Sequence, residues 1–182
     1  MKGTIIVCLR DMLAEQNGQS PNGWKDMLAA SGMDRNRVIL LSTDVDDGQT
    51  LALFGEAQKR YFKSHEELAN AYGHYWSVIY APKIYTAVYK GVKSARDFLL
   101  KMDKVHVQVT ETMANARPPR FQYEEKENGD LVVHYISARG LVHLYAGLAR
   151  GIGTYFGEKL DVKVLENNRV SIQFPAAAGK AA

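Results

Sequence analysis

With 182 residues, 23 basic against 20 acidic side chains and a net charge of +3, the chain is most simply one domain, large enough to bury about 70% of its unfolded surface and a sizeable ligand. The balanced charge, with no run of Lys or Arg, argues against a nucleic-acid groove, and MKGTIIVCLRDML spaces its charges too closely for a signal peptide or membrane span. A single cysteine, Cys8, rules out an intrachain disulfide and points to a reducing, cytoplasmic setting.

Residues 2–16 carry Ile5, Ile6, Leu9, Met12 and Leu13 at helical spacing, with Asn17-Gly18 as the stop. Ser20-Pro21 starts a second helix, with Trp24, Met27 and Leu28 as its buried stripe and Gly32 closing it. Asp44, Asp46 and Asp47 read as helix-start charges for a helix over 51–61; they lack the full spacing and closing Glu of a calcium loop. Ser64 and Glu67 form a capping box for a helix through Leu68, Tyr72, Tyr75 and Trp76 toward Pro82. The longest helix is expected over 94–114, capped by Ser94 with Asp97 at its third position, its apolar stripe holding Leu99, Met102, Val109 and Met113. His106 lies on that stripe. It reads either as a satisfied core histidine or as a ligand, because a buried imidazole needs partners for both nitrogens.

After ARPPR the pattern changes to strands. Residues 121–127 and 131–139 flank Asn128-Gly129, a pair suited to a two-residue hairpin turn. Residues 141–156 read as helix with Leu144, Leu148 and Ile152 on one side, and strands over 160–165 and 170–174 surround Asn167-Asn168. The PAAAGKAA tail is expected to fray. The fold class is therefore α+β: a mainly helical N-terminal part, then a C-terminal part with a long helix and a small antiparallel sheet of about four strands.

One stretch carries unusual chemistry. In VVHYISARGL, strand alternation puts Tyr135, Ser137 and Arg139 on the face of Leu131 and Val133, turning an apolar row into a row of donors. Such a row suits an anion, Arg above all offering a fork for a carboxylate or phosphate; it also fits a partly solvated strand end. GLARGIGTYFG lacks either phosphate-loop arrangement, and its glycines suit close helix packing. Ser137 is not in a nucleophile elbow, no Cys-His or His-Glu pair has zinc spacing, and no role is assigned to His74, His134 or His143. An apolar-face histidine, anion donors and large apolar side chains together suit haem, which needs an axial imidazole, propionate partners and an apolar slot.

MKGTI, KMDKVHVQVTETMANARPPRF and HYISARG, the last carrying Y-x-S-x-R, resemble the haem-nitric oxide/oxygen binding (H-NOX) domains over nearly the whole chain. These are the bacterial relatives of the haem domain of soluble guanylate cyclase. The resemblance implies one domain binding haem b (iron protoporphyrin IX) between a helical distal part, about 1–63, and a proximal part, about 64–176, followed by the tail 177–182. It implies that His106 is the axial iron ligand, that Tyr135, Ser137 and Arg139 hold the propionates, and that Pro119 presses on the porphyrin. Gly3 and Gly73 match pivots of the family's helical part, or simply permit close packing.

In oxygen-binding members a tyrosine five residues past the signature Arg donates to bound oxygen; here that position is Leu144. Ile5, Leu9, Trp76 and Leu144 would form the distal wall, and Tyr145 is turned about 100° away. The resemblance thus implies a sensor of nitric oxide and carbon monoxide that discriminates against oxygen and is not itself an enzyme. Gas binding would weaken the iron–His106 bond and release the long helix. The signal would pass to a separate histidine kinase or cyclic-di-nucleotide enzyme, with no nucleic acid or membrane as partner. The alternatives are an oxygen sensor using Trp76 or Tyr145 as donor, or a haem enzyme, for which a distal acid–base group is missing.

Overall fold

In the computed structural model, which describes residues 1–175, helix α1 (Gly3–Asn17) ends on Gly18, whose φ of 65° is the left-handed cap that only glycine adopts without strain. Helix α2 (Pro21–Ala30) is capped by Ser20, whose Oγ accepts from the Gly23 N–H at 3.0 Å. Helix α3 (Asp47–Tyr61) is capped by Asp46, which accepts from the Gln49 N–H at 2.9 Å. Asp44 instead pairs with Lys2 at 2.5 Å, so these aspartates serve helix starts and a local ion pair. Among the described residues no acidic or histidine cluster could hold a metal ion.

Met1–Leu68 and Ala114–Arg117 make one compact unit. Its centre is Ile6, Leu9, Met12 and Leu13 of α1 against Met27, Leu28, Leu53 and Ala57 of the next two helices, all essentially without solvent contact. Gly3 sits where the chain returns: its N–H donates to the Thr43 carbonyl at 2.7 Å. A Cβ at position 3 would lie 2.0 Å from the Leu40 carbonyl oxygen.

Ala69–Met113 and the chain from Pro118 onward form the second unit. Helix α4 (His65–His74) leads into a π-helical segment, Tyr75–Tyr80, and then the short helices α5 (Ala81–Ile84) and α6 (Thr86–Tyr89). The α4 cap differs slightly from the expected box: Ser64 Oγ accepts from Glu67 N, but the Glu67 carboxylate accepts from Lys63 N. The single helix expected toward Pro82 is also interrupted, for a traceable reason. The Ala81 N–H bonds back to the Trp76 carbonyl, five residues away, which releases the Ser77 carbonyl to accept from the Tyr89 hydroxyl at 3.2 Å. The Ser77 Oγ donates to Leu148 O at 3.2 Å.

Helix α7 (Ala95–Thr112) begins as expected, with Ser94 Oγ accepting from Asp97 N at 3.0 Å. It stops before Met113, which is exposed rather than part of the buried stripe. Strands β1 (Arg120–Glu125) and β2 (Leu131–Ile136), helix α8 (Val142–Phe156), and strands β3 (Asp161–Leu165) and β4 (Arg169–Gln173) complete the unit. The sheet is antiparallel in the order β1-β2-β4-β3. Leu131, Val133, Val170 and Ile172 are fully buried on its inner face, against which α7 and α8 pack.

Both expected hairpins form, but the turn of the first is longer than two residues. Asn128-Gly129 is part of a three-residue loop, 127–129, closed by Lys126 N–H to Asp130 O at 2.8 Å with Gly129 at φ 88°. The loop of the second hairpin, 166–168, is also three residues long, since Leu165 stands opposite Arg169, and Asn167 and Asn168 in it are both left-handed at φ 57° and 54°. The frayed tail expected over 177–182 lies outside the described residues. No helix among those described is long and apolar enough to cross a membrane.

Candidate functional site

Helical spacing puts Asp103 and His106 one turn apart on the same face of α7, and the tripeptide 119–121 at the start of β1 meets both. His106 Nδ1 lies 2.8 Å from the Pro119 carbonyl oxygen. A carbonyl can only accept, so Nδ1 carries the proton. Burial pushes the His106 pKa down, and Arg120 adds to this; the Pro119 hydrogen bond and Asp103 oppose it. The neutral ring therefore keeps its lone pair on Nε2, the form in which histidine ligates a metal.

The Asp103 carboxylate accepts from Arg120 Nε at 2.8 Å and Nη2 at 2.7 Å, and from the Phe121 N–H at 2.8 Å. Chiefly through the Arg120 bonds, its pKa is held down at about 2. The Phe121 ring packs on the His106 ring with centroids 5.2 Å apart. Asp103, Arg120 and Phe121 were not among the expected site residues. The spacing of Asp103 from His106 is the sequence signal that could have marked the first of them.

Tyr135, Ser137 and Arg139 are brought together, but not by strand alternation. β2 ends at Ile136, so only Tyr135 is on the strand, and the other two lie in the turn that follows. Ser137 Oγ accepts from the Arg139 N–H at 3.3 Å, and Gly140 reverses the chain at φ 65°. Burial raises the Tyr135 pKa, while a hydrogen bond with Ser137, the charge of Arg139 and the Leu141 backbone offset part of that rise. A turn folded on a side-chain acceptor keeps these polar groups close to one another, whereas a strand would spread them along a row.

The four residues expected to line a gas pocket are distributed as follows. Leu9 is fully buried and Ile5 half-buried, both on α1 in the first unit. In the second unit, Trp76 packs on Tyr72, Tyr80 and Tyr85 at centroid distances of 6.0, 5.6 and 6.1 Å, and Leu144 is half-buried on α8. Tyr145, next to Leu144, is buried against Phe121 at 4.8 Å and Tyr135 at 5.9 Å. No hydrogen-bond partner reaches its hydroxyl among the described residues.

The fold and sequence have known counterparts. Soluble guanylate cyclases gcy-32 and gcy-34 of Caenorhabditis elegans are each 23% identical over 157 residues, 84% of this chain, which spans 22% of their length. Among solved structures, an H-NOX protein from S. oneidensis in the Fe(II)NO ligation state superposes with a TM-score of 0.85 at 18% identity, covering 96% of this chain and 99% of that one. A Cs H-NOX mutant carrying 4-cyano-L-phenylalanine gives 0.83 at 24% identity with 98% of both chains covered. An oxygen-binding H-NOX domain related to soluble guanylate cyclases gives 0.78 at 24% identity with both chains covered in full. With the haem-NO-binding family matched over residues 2–164, the chain belongs to that family and is an H-NOX domain, a haem-based gas-sensor module.

Proposed function

We propose that this domain binds one haem b through His106 and senses nitric oxide, with carbon monoxide as a second ligand and oxygen excluded. The observation that carries the haem assignment is the His106–Pro119 hydrogen bond, which leaves a neutral Nε2 as donor to a metal. The rest of the donor set fits the same group. Tyr135, Ser137 and Arg139 would hold the propionates, Arg139 as a charge-assisted partner and the two hydroxyls as neutral ones. Pro119 would press on the porphyrin while its carbonyl orients His106. Bound haem supplies ferrous iron as the gas-binding centre.

The selectivity reading rests on Ile5, Leu9, Trp76 and Leu144 as the distal wall. Bound oxygen gains from a hydrogen-bond donor, and the aliphatic side chain of Leu144 offers none. Tyr145 does not take its place in this reading. It packs on Phe121, the ring that also contacts His106, and so belongs with the aromatic cluster beside the proposed axial ligand.

The proposed output is mechanical. His106 sits in the C-terminal half of α7, so a change in the pull on its ring is felt by that helix and by the 119–121 strand start bonded to it. A partner that prefers one of the two packings would convert the shift into a signal. Candidate effectors are a cyclase, a sensor histidine kinase or a cyclic-di-nucleotide enzyme, in a reducing cytoplasmic setting. The deciding measurement is the absorption spectrum of the ferrous protein under air, nitric oxide and carbon monoxide. Stable adducts with the two latter gases and none with oxygen are expected. A long-lived ferrous-oxy complex in air would overturn the selectivity assignment.

A further inference from the structure

We infer that Asp103 is a positioning residue for His106: with Arg120 and the Phe121 amide it clamps the tripeptide 119–121, so that the Pro119 carbonyl and the Phe121 ring fix the orientation of the imidazole. The inference rests on the proposal that His106 ligates iron.

The geometry is a closed circuit between one helical turn and three residues of strand. At one end His106 Nδ1–H donates to Pro119 O at 2.8 Å. At the other, one carboxylate receives three donors, two from the Arg120 guanidinium and one from the Phe121 backbone. Between them the Phe121 ring lies over the His106 ring, tilted by 37°. Cut the Asp103 end, and Pro119 O loses the anchor that sets its distance from Nδ1. The ring then regains freedom to rotate, and its basicity toward a metal changes with the strength of that hydrogen bond.

The three Asp103 bonds differ in weight. The Arg120 side chain is 53% exposed, so the ion pair is screened by solvent and salt. The Phe121 N–H bond is partly buried and holds the backbone directly. Loss of Asp103 should therefore do more than loss of Arg120. Arg96 provides a control for mere loosening of the same packing. It also ties α7 to the β1 hairpin, through Glu125 and the Gly129 carbonyl, but at the end of β1 away from Pro119.

The test is resonance Raman of the ferrous, haem-loaded protein, read at the iron–histidine stretching band, together with the haem midpoint potential and the rate of haem transfer to apomyoglobin. Asp103→Ala should shift the band and the potential and weaken iron ligation roughly tenfold or more, as removal of a support behind a metal ligand does. Arg120→Ala should shift them less, and Arg96→Ala should leave both at wild-type values while lowering thermal stability. If Asp103→Ala does not fold, the contrast between Arg120→Ala and Arg96→Ala decides. Equal band positions in all the folded variants, or equal shifts in all, would overturn the clamp. His106→Ala separates this from the ligand assignment. An unchanged ferrous spectrum in that variant defeats the assignment itself, whereas loss of the band there, restored by added imidazole, beside an unmoved band in Asp103→Ala defeats only the clamp.

Discussion

Replacing Gly147 by Ala tests how closely α4 and α8 approach. A Cβ at position 147 would lie 2.0 Å from the Ala69 carbonyl oxygen and 2.5 Å from its carbon, where ordinary contact begins at 3.4 Å. The helices would have to separate by more than 1 Å, and the obstacle is backbone, which cannot swing aside as a side-chain tip can. Overpacking of this kind costs about 1–3 kcal/mol, with the upper end apt here. Alanine recovers about 1 kcal/mol of helix propensity over glycine, for a net loss of about 2 kcal/mol. Gly55, inside α3, has nothing within 4 Å of its would-be Cβ, so Gly55→Ala should instead stabilise by about 0.5–1 kcal/mol. Urea unfolding followed by circular dichroism reads both variants. The expected result is a lower midpoint for Gly147→Ala at unchanged slope, equivalent to roughly 4–8 °C in Tm, and a higher one for Gly55→Ala. A Gly147→Ala protein as stable as the wild type would refute the close approach.

The other predictions concern the proposed site and pH. Haem-transfer assays should find that Arg139→Ala loses haem faster than Ser137→Ala, because a charge-assisted pair contributes about 1.5–3 kcal/mol and a neutral hydroxyl bond about 1 kcal/mol; equal rates would count against the propionate clamp. Leu144→Tyr should raise oxygen affinity roughly ten- to a hundredfold, the worth of one hydrogen bond to an anion-like ligand, and stopped-flow oxygen binding measures it. Asp103 has a folded-state pKa of about 2, below the ordinary aspartate value. Its stabilisation should thus be complete above that ordinary value and be lost as pH falls toward 2. Acid unfolding of Asp103→Asn should lack that component.

Much of this protein was legible from periodicity and punctuation. The Ser20, Asp46 and Ser94 caps and the Gly18 stop are bonds or φ values between residues at most five apart, so the local chain suffices to decide them. The one-faced sheet follows from the alternation of Val170 and Ile172 with more exposed neighbours along β4. The glycines of GLARGIG read as packing residues, and Gly147 and Gly151 do meet the backbones of Ala69 and Gly73.

What only the tertiary structure decided are features set by partners distant in sequence. In the π-helical segment the freed Ser77 carbonyl accepts from the Tyr89 hydroxyl twelve residues on, a partner that no pattern within 75–80 records. Ser137 and Arg139 leave the strand because the chain turns back into α8, and a period-2 pattern cannot show where pairing with β1 ends, at Ile136 opposite Arg120. His106 was ambiguous by itself between core residue and ligand. Its tautomer became defined only when folding set the Pro119 carbonyl against Nδ1, thirteen residues away across a helix end and a double proline, since a hydrogen-bond acceptor, and not the histidine itself, selects which nitrogen keeps the lone pair.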